Sequence, residues 1–358
     1  MTYNFNEQYY LNTYEDIRKS KIYKSKPYTH YQKYGKLEER FCCLEEENDF
    51  HLKKNIIKNE NNHVNSSKKS KISILLPYYN RKKLLENTLN QFLNLYKIYK
   101  IELIIIDDAS NDENKLNDLI YNYPFQIKLI RLKNKNWINP VISLNMAIQN
   151  VSDDSDIMIF QSPEIFHCNN IINFILENLK DNEYYCFNVF MSPDLKTNKY
   201  LEKLINSNCS DYKKSFIDKI NLNDYNNIYD NHVLNDWKGW YQHNIFNNRK
   251  YHFLSSIKTK NFKKYIGGFS DEMKNGLWYD DDDFLYRINK IFKIKSIDNN
   301  LYAIHQWHPS SSHNKHSPET LNLIKKNQNI FFLNIKNNII YCETKLKIDN
   351  IDCQKKNF

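Results

Sequence analysis

Residues 72–92 read ISILLPYYNRKKLLENTLNQF, and residues 102–110 read ELIIIDDAS. The first is a short apolar run closed by proline, as in a strand buried on both faces. It is followed by apolar residues at Leu84, Leu85, Leu89, Phe92 and Leu95, the spacing of one helix face. The second is another buried strand, with two carboxylates at its carboxyl end. Strand, helix, strand at this spacing predicts a βαβ unit and hence a parallel sheet. The alternation continues with a helix near 112–122, a strand near 126–132, a helix near 138–150, the strand DIMIFQ, a helix near 169–180 and the strand YYCFNVF. The fold class expected is α/β, a doubly wound and mostly parallel sheet. Ligands of such sheets bind at the carboxyl ends of the strands. The residues at those ends are Pro77, Tyr79 and Asn80, then Asp107 and Asp108, then Gln161-Ser162-Pro163-Glu164.

Around this core the chain divides by composition. Residues 1–45 carry aromatic and apolar positions at helical spacing, with a turn expected at Gly35, and read as a small helical module. Residues 46–70 are polar and read as a linker, residues 71–310 as the main domain, and residues 311–358 as a C-terminal extension. Seven cysteines with no CxxC pair predict reduced thiols and exclude a disulfide framework. The net charge of +9 is scattered among Asn and Ile without a basic stripe, which argues against nucleic acid as a partner. No apolar run approaches the roughly 20 residues that span a bilayer, so no transmembrane segment is expected. The N-terminus lacks the apolar stretch of a signal peptide, and a cytoplasmic protein is expected. The abundance of Asn, Lys, Ile and Tyr fits an AT-rich genome, of the kind many giant DNA viruses carry; for such a source the place would be the host cytoplasm. Neither G-x-G-x-x-G after the first strand nor a P-loop is present, which excludes the two commonest nucleotide fingerprints.

The second informative stretch is GGFSDEMKNGLWYDDDDFLYRI, residues 267–288. Four adjacent carboxylates repel one another and need a compensating cation or a task. Four of the five glycines (Gly239, Gly267, Gly268, Gly276) and four of the five tryptophans (Trp237, Trp240, Trp278, Trp307) fall in or near this stretch. Glycine permits close backbone approach and tryptophan stacks on sugar rings, although a turn beside an aromatic core would use the same residues. The acids also suit a helix N-terminus, since Leu285, Ile288 and Phe292 continue as an apolar face.

Taken together, the opening strand-P-x-Y-N and strand-D-D-x-S blocks resemble family 2 glycosyltransferases of the GT-A fold. The GGFSDE…YDDDDF…R block resembles the segment shared by β-1,4-galactosyltransferases and polypeptide N-acetylgalactosaminyltransferases. The N-terminal unit is similar to a helical module found beside bacterial glycosyltransferase domains. The resemblance implies that Pro77, Tyr79, Asn80, Asp107 and Asp108 hold the nucleotide. It implies Asp281 as the base, with Asp282 beside it, and Gln161, Gly267, Gly268, Trp278 and Asp280 around the donor and acceptor sugars. Asp107 and Asp108 also suit a helix cap before NDENKL.

The resemblance fails at the metal. GT-A enzymes carry D-x-D at the end of the fourth strand, where this chain has QSPE. Glu164 is the nearest carboxylate, with His167 close behind, and His305 and His308 follow the acid run. His305 and His308 resemble the late histidine that completes the divalent-metal site in several members of the family, and the resemblance implies Glu164, His305 and His308 as ligands for Mn²⁺ or Mg²⁺, held together with the donor diphosphate. The activity implied is inverting transfer of a hexosyl or N-acetylhexosaminyl group from a nucleotide-sugar, a UDP-sugar first, to a hydroxyl of a glycan or glycoprotein. Two alternatives stand beside it: a degenerate relative that binds sugar or nucleotide-sugar without turnover, and a metal-dependent nucleotidyl- or phosphotransferase.

Overall fold

The computed structural model describes residues 4–35, 40–44, 46, 70–207, 209, 211–220, 239–309, 317–344 and 351–356, the last six as backbone alone. The chain separates into two compact units, residues 1–68 and 69–358. The expected linker 46–70 and Trp237 lie almost wholly or wholly outside the described residues.

In the first unit, helices α1 (Glu7–Thr13), α2 (Glu15–Lys19) and α3 (Pro27–His30) precede a single π turn, Tyr31–Gly35. Asn6 caps α1 by accepting from the Tyr9 amide. Tyr10, Ile17, Tyr31, Cys42 and Cys43 form a small core, in which the Tyr10 hydroxyl meets His30 Nδ1 at 3.1 Å. Gly35 is required there, because a Cβ would sit 2.3 Å from that hydroxyl.

The second unit begins with β1 (Lys71–Tyr78), α4 (Lys82–Tyr96), β2 (Ile101–Asp107), β3 (Gln126–Leu132), α5 (Val141–Gln149), β4 (Ser155–Gln161) and β5 (Ile165–His167). It continues through α6 (Ile171–Asn178), β6 (Glu183–Met191), α7 (Leu195–Asn206), α8 (Tyr212–Ser215), β7 (Trp240–Gln242), β8 (Leu254–Lys258) and α9 (Thr259–Tyr265). The last elements are α10 (Asp280–Ile291), β9 (Lys293–His305), α11 (Pro318–Lys336) and β10 (Ile351–Lys356).

One sheet runs β10-β3-β2-β1-β4-β8-β6-β9-β5, with β7 on β6. Strands β3, β2, β1 and β4 are parallel, while β8 is antiparallel to both β4 and β6. This is an α/β arrangement, as expected, with a parallel half joined to a mixed half.

Alternating side chains of each strand build two cores. Ile72, Ile74 and Leu76 of β1 pack under Leu85, Leu89 and Phe92 of α4, on the face that α6 also covers. Leu75 of β1 and Ile104 and Ile106 of β2 face the opposite side, against α5, α9 and α10.

The segment near 112–122 is not the helix expected. It forms two 3₁₀ turns, Asp112–Asn114 and Leu119–Asn122. The Asn111 side chain bonds the Asn114 amide and side chain, the local competition by which Asn disfavours helix interiors. Residues beyond 310 pack onto the domain: α11 lies against α10, and β10 extends the sheet antiparallel to β3. Among the described residues no helix is long and apolar enough to cross a membrane.

Candidate active site

The parallel register pairs Tyr78 with Asp107, so the loops after β1 and β2 lie side by side. The Asn80 amide donates to Ser110 Oγ and the Asn111 amide to Asn80 Oδ1, both at 2.9 Å. Asn80 and Ala109 take left-handed backbone, φ 51° and 61°. Asp107 is fully engaged within the protein: Oδ1 accepts from the Ser110 amide and Oδ2 pairs with Arg131 at 3.1 Å. It caps a turn, not a helix. Asp108 pairs with Lys135 at 2.6 Å and accepts from Trp137 Nε1 at 2.9 Å. Lys135 also lies 4.5 Å over the exposed ring of Tyr79, and Pro77 is half-buried beside them. The expected nucleotide residues are thus brought together, with Lys135 and Trp137 added to them.

The acid run opens α10, and each carboxylate has its own surroundings. Asp283 is wholly buried between Arg287 Nε at 2.9 Å and Asn334 Nδ2 at 2.8 Å. Arg287, also fully buried, donates from Nη1 to the Gly268 carbonyl at 2.6 Å. Here is the compensating cation that a run of four acids requires. Asp282 accepts from the Tyr251 hydroxyl at 2.6 Å. Asp280 is buried, and its carboxyl is pushed up to about 7 by burial and by Asp281, against a hydrogen bond from Asn139. The Asp281 side chain keeps 26% of its exposure. It too is pushed up to about 7, by desolvation first and then by the charge of Asp282. His252 Nδ1 approaches Asp281 Oδ1 at 3.1 Å without hydrogen-bond alignment. Burial among Phe160, Phe269 and Phe284 depresses the imidazole to about 4, so it stands neutral beside the acid.

Strand β5 pairs Ile165 with His305, which sets the end of β9 next to Glu164. Glu164 Oε1 lies 3.2 Å from His305 Nε2, 3.6 Å from His308 Nε2 and 2.7 Å from Arg81 Nη1. Burial opposes ionisation of Glu164. Arg81 and the two imidazoles outweigh it and hold the carboxyl well below the usual range. The potential ligand atoms of Glu164, His305 and His308 all lie within 4.8 Å of one another, a spacing that fits a metal ion. Glu164 Oε2, buried and without a hydrogen-bond partner among the described residues, favours such a role. The three residues would give one carboxylate and two imidazoles to a divalent cation.

The two groups share a wall. The Tyr241 ring lies tilted against that of His305, with centroids 4.6 Å apart, and Arg249 lies 5.9 Å over the Tyr241 ring. Burial, then the charges of Asp281 and Glu164, push the Tyr241 hydroxyl above its ordinary value. The rings of Tyr251, Phe253, Tyr241 and His305, each in contact with the next, thus join the acid run at Asp282 to the Glu164 cluster.

Several expected residues have other roles. Gln161 is buried and donates to the Ile165 carbonyl at 2.8 Å, leaving only its Oε1 without a partner. The space beside Gly267 is taken by the Cys342 carbonyl, and that beside Gly268 by Asn145 and Thr344. Packing of the C-terminal residues accounts for both glycines. His167 lies apart from the metal cluster, buried with its Nδ1 2.6 Å from the Tyr96 hydroxyl and its ring depressed to about 3 by burial. Trp240 belongs to a core with Phe190 and Tyr302. Trp278, in contrast, is 54% exposed and held at φ 59°.

The family model for Glycosyl transferase family 2 matches residues 73–235. Over this segment the chain is similar to family 2 glycosyltransferases. No curated protein sequence matches the chain. Among solved structures, TarS of S. aureus is similar at 15% identity and a TM-score of 0.45, over 75% of this chain and 40% of that one. The mannosyltransferase PcManGT of Pyrobaculum calidifontis, solved with GDP-Man and Mn²⁺, is similar at 13% identity and 0.41, over 68% and 58%. The catalytic domain of Drosophila β1,4-galactosyltransferase 7 is similar at 13% identity and 0.38, over 69% and 72%. The chain thus spans well under two thirds of the TarS chain.

Arg81, Tyr241, Tyr251 and His252 were not singled out from sequence. The last three lie in WYQHNIFNNRKYHF, residues 240–253, beyond the family 2 match. Their signal was the density of aromatic and histidine residues just before the glycine pair. That of Arg81 was a run of three basic residues at the positive end of a helix, where acids are favoured.

Proposed function

We propose that the domain is an inverting glycosyltransferase that moves a sugar from a nucleotide-sugar, with UDP-sugars first among donors, to a hydroxyl of a glycan or glycoprotein. The observation that carries the reading is the row of rings, Tyr251, Phe253, Tyr241 and His305, that joins the acid run to the Glu164 cluster. A base and a diphosphate site must lie on opposite sides of one anomeric carbon for in-line displacement with inversion.

In this reading the acceptor hydroxyl gives its proton to Asp281 as its oxygen bonds to the anomeric carbon. The bond from that carbon to the diphosphate breaks, and the nucleoside diphosphate leaves with the electron pair. A carboxyl near 7 is suited to that task, because a base poised near working pH is both ionised and able to accept. Asp282 and Asp280 orient acceptor hydroxyls, and exposed Trp278 offers its ring face to a sugar. The loops carrying Tyr79, Asn80, Asp108 and Lys135 hold the nucleotide. A divalent cation, when bound at Glu164, His305 and His308, neutralises charge on the diphosphate.

Screening nucleotide-sugars for thermal stabilisation, with and without Mn²⁺, tests the reading, because a ligand of the native state raises its melting temperature. Release of nucleoside diphosphate from the stabilising donor supports transfer. A second reading, binding without turnover, is favoured by Gln161 in place of the first aspartate; stabilisation with no release of diphosphate supports that one.

A further inference from the structure

The three groups that converge on Glu164 Oε1 are not alike. His305 and His308 are metal ligands by type, whereas Arg81 is a fixed cation, and it makes the shortest contact of the three at 2.7 Å. A guanidinium on the carboxylate that a metal would use offsets the negative charge that attracts the metal and adds a positive one beside it. Arg81 is not anchored as a permanent part of the core. Its side chain is 32% exposed, and it stands at the N-cap of α4 with non-helical φ −134° and ψ 38°. The two residues after it are Lys82 and Lys83, with no acid in the first turn of that helix. Cations at the positive end of a helix repel it, so an incoming anion at this place gains both from the side chains and from the helix end.

We propose that Arg81 is a displaceable counter-ion of the Glu164–His305–His308 cluster, which keeps the cluster closed to divalent cations until an anionic ligand draws the guanidinium away. The drawing away by a donor diphosphate rests on the function proposed above; the closing of the cluster by Arg81 rests on the geometry alone. In this account the missing D-x-D carboxylate and the arginine act in the same direction. The site has little attraction for metal by itself and acquires it with the nucleotide, which brings its own negative charge.

Calorimetric titration of the full chain with Mn²⁺, without nucleotide, tests this with no reference to activity. The wild type should bind weakly, Arg81→Gln at least about tenfold more tightly, since a unit charge is removed from contact with the ligand oxygen. Arg81→Lys should stay close to the wild type, and His305→Ala in the Arg81→Gln background should abolish the gain. Equal or weaker Mn²⁺ binding by a folded Arg81→Gln would overturn the proposal. So would tight Mn²⁺ binding by the wild type alone, a result that needs no variant to fold. Adding uridine diphosphate should raise the wild-type affinity by a larger factor than that of Arg81→Gln, which gains only from the charge of the nucleotide itself. If the nucleotide has no effect while the gain in Arg81→Gln is intact, the function proposed above is struck and the counter-ion role stands.

Discussion

Asn327 of α11 donates from Nδ2 to the Trp278 carbonyl at 2.9 Å, tying the C-terminal helix to the turn that leads into the acid run. That turn is strained: Trp278 and Tyr279 both take φ 59°, a conformation that costs a non-glycine residue about 1–2 kcal/mol. Strain of this kind persists only where the surroundings hold it. Gln328 adds a bond to the Tyr279 hydroxyl at 2.7 Å, and Gly276 leaves room for Asn327, whose Oδ1 would lie 2.0 Å from a Cβ there.

Asn327→Ala should therefore destabilise the domain by about 1–3 kcal/mol, the cost of leaving a buried partner unbonded. Gly276→Ala should also destabilise it. In the Asn327→Ala background the second substitution should cost much less, because the atom it strikes is gone. Denaturant unfolding of the four proteins measures the coupling, and strict additivity would contradict this account of the turn.

Within the acid run, stability and activity should separate. Asp283→Ala leaves the fully buried Arg287 without its carboxylate and should cost about 3–5 kcal/mol. Asp281→Asn breaks no aligned hydrogen bond and keeps the shape of the side chain, so it should cause no such loss. Thermal unfolding of the two variants beside the wild type reads the difference directly.

The raised carboxyls give a pH dependence of definite sign. A base must be ionised, so turnover should rise with pH through about 7, the value to which Asp281 is pushed. Stability responds oppositely at these two sites. Asp280 and Asp281 bind protons in the native state up to about 7, while the unfolded chain releases them near 4. Their contribution is fully present below about 4 and is lost progressively as pH rises from there to about 7. Asp280→Asn should accordingly gain more stability relative to the wild type at pH 8 than at pH 4, as read by paired unfolding curves.

The parallel half of the sheet was legible because its strands are continuous apolar runs bounded by Pro77, Asp107 and Gln161, a pattern only burial on both faces explains. The 112–122 segment misled because its apolar residues have helical spacing, whereas Asn111 and Asn114 bond locally. At the site, residue type was legible and partnership was not. Nothing in DDDD distinguishes Asp283, neutralised by Arg287 four residues on, from Asp281, which meets His252 across the fold. The pairing of Arg81 with Glu164 joins residues 83 positions apart, and no local pattern encodes it. Gly267 and Gly268 looked like ligand contacts for the same reason, since their neighbours come from residues 341–344 and Asn145.

The central claim is that Asp281 takes the acceptor proton at a site that binds a nucleotide-sugar. Its most direct test is the release of nucleoside diphosphate from a UDP-sugar by the wild type and Asp281→Asn, at donor concentrations saturating for each, with donor affinity measured in parallel by calorimetry. Affinity should be retained, and release should slow by at least about a hundredfold, the low end of what a general base contributes. Unchanged turnover in Asp281→Asn, or release of pyrophosphate in place of the nucleoside diphosphate, would contradict it.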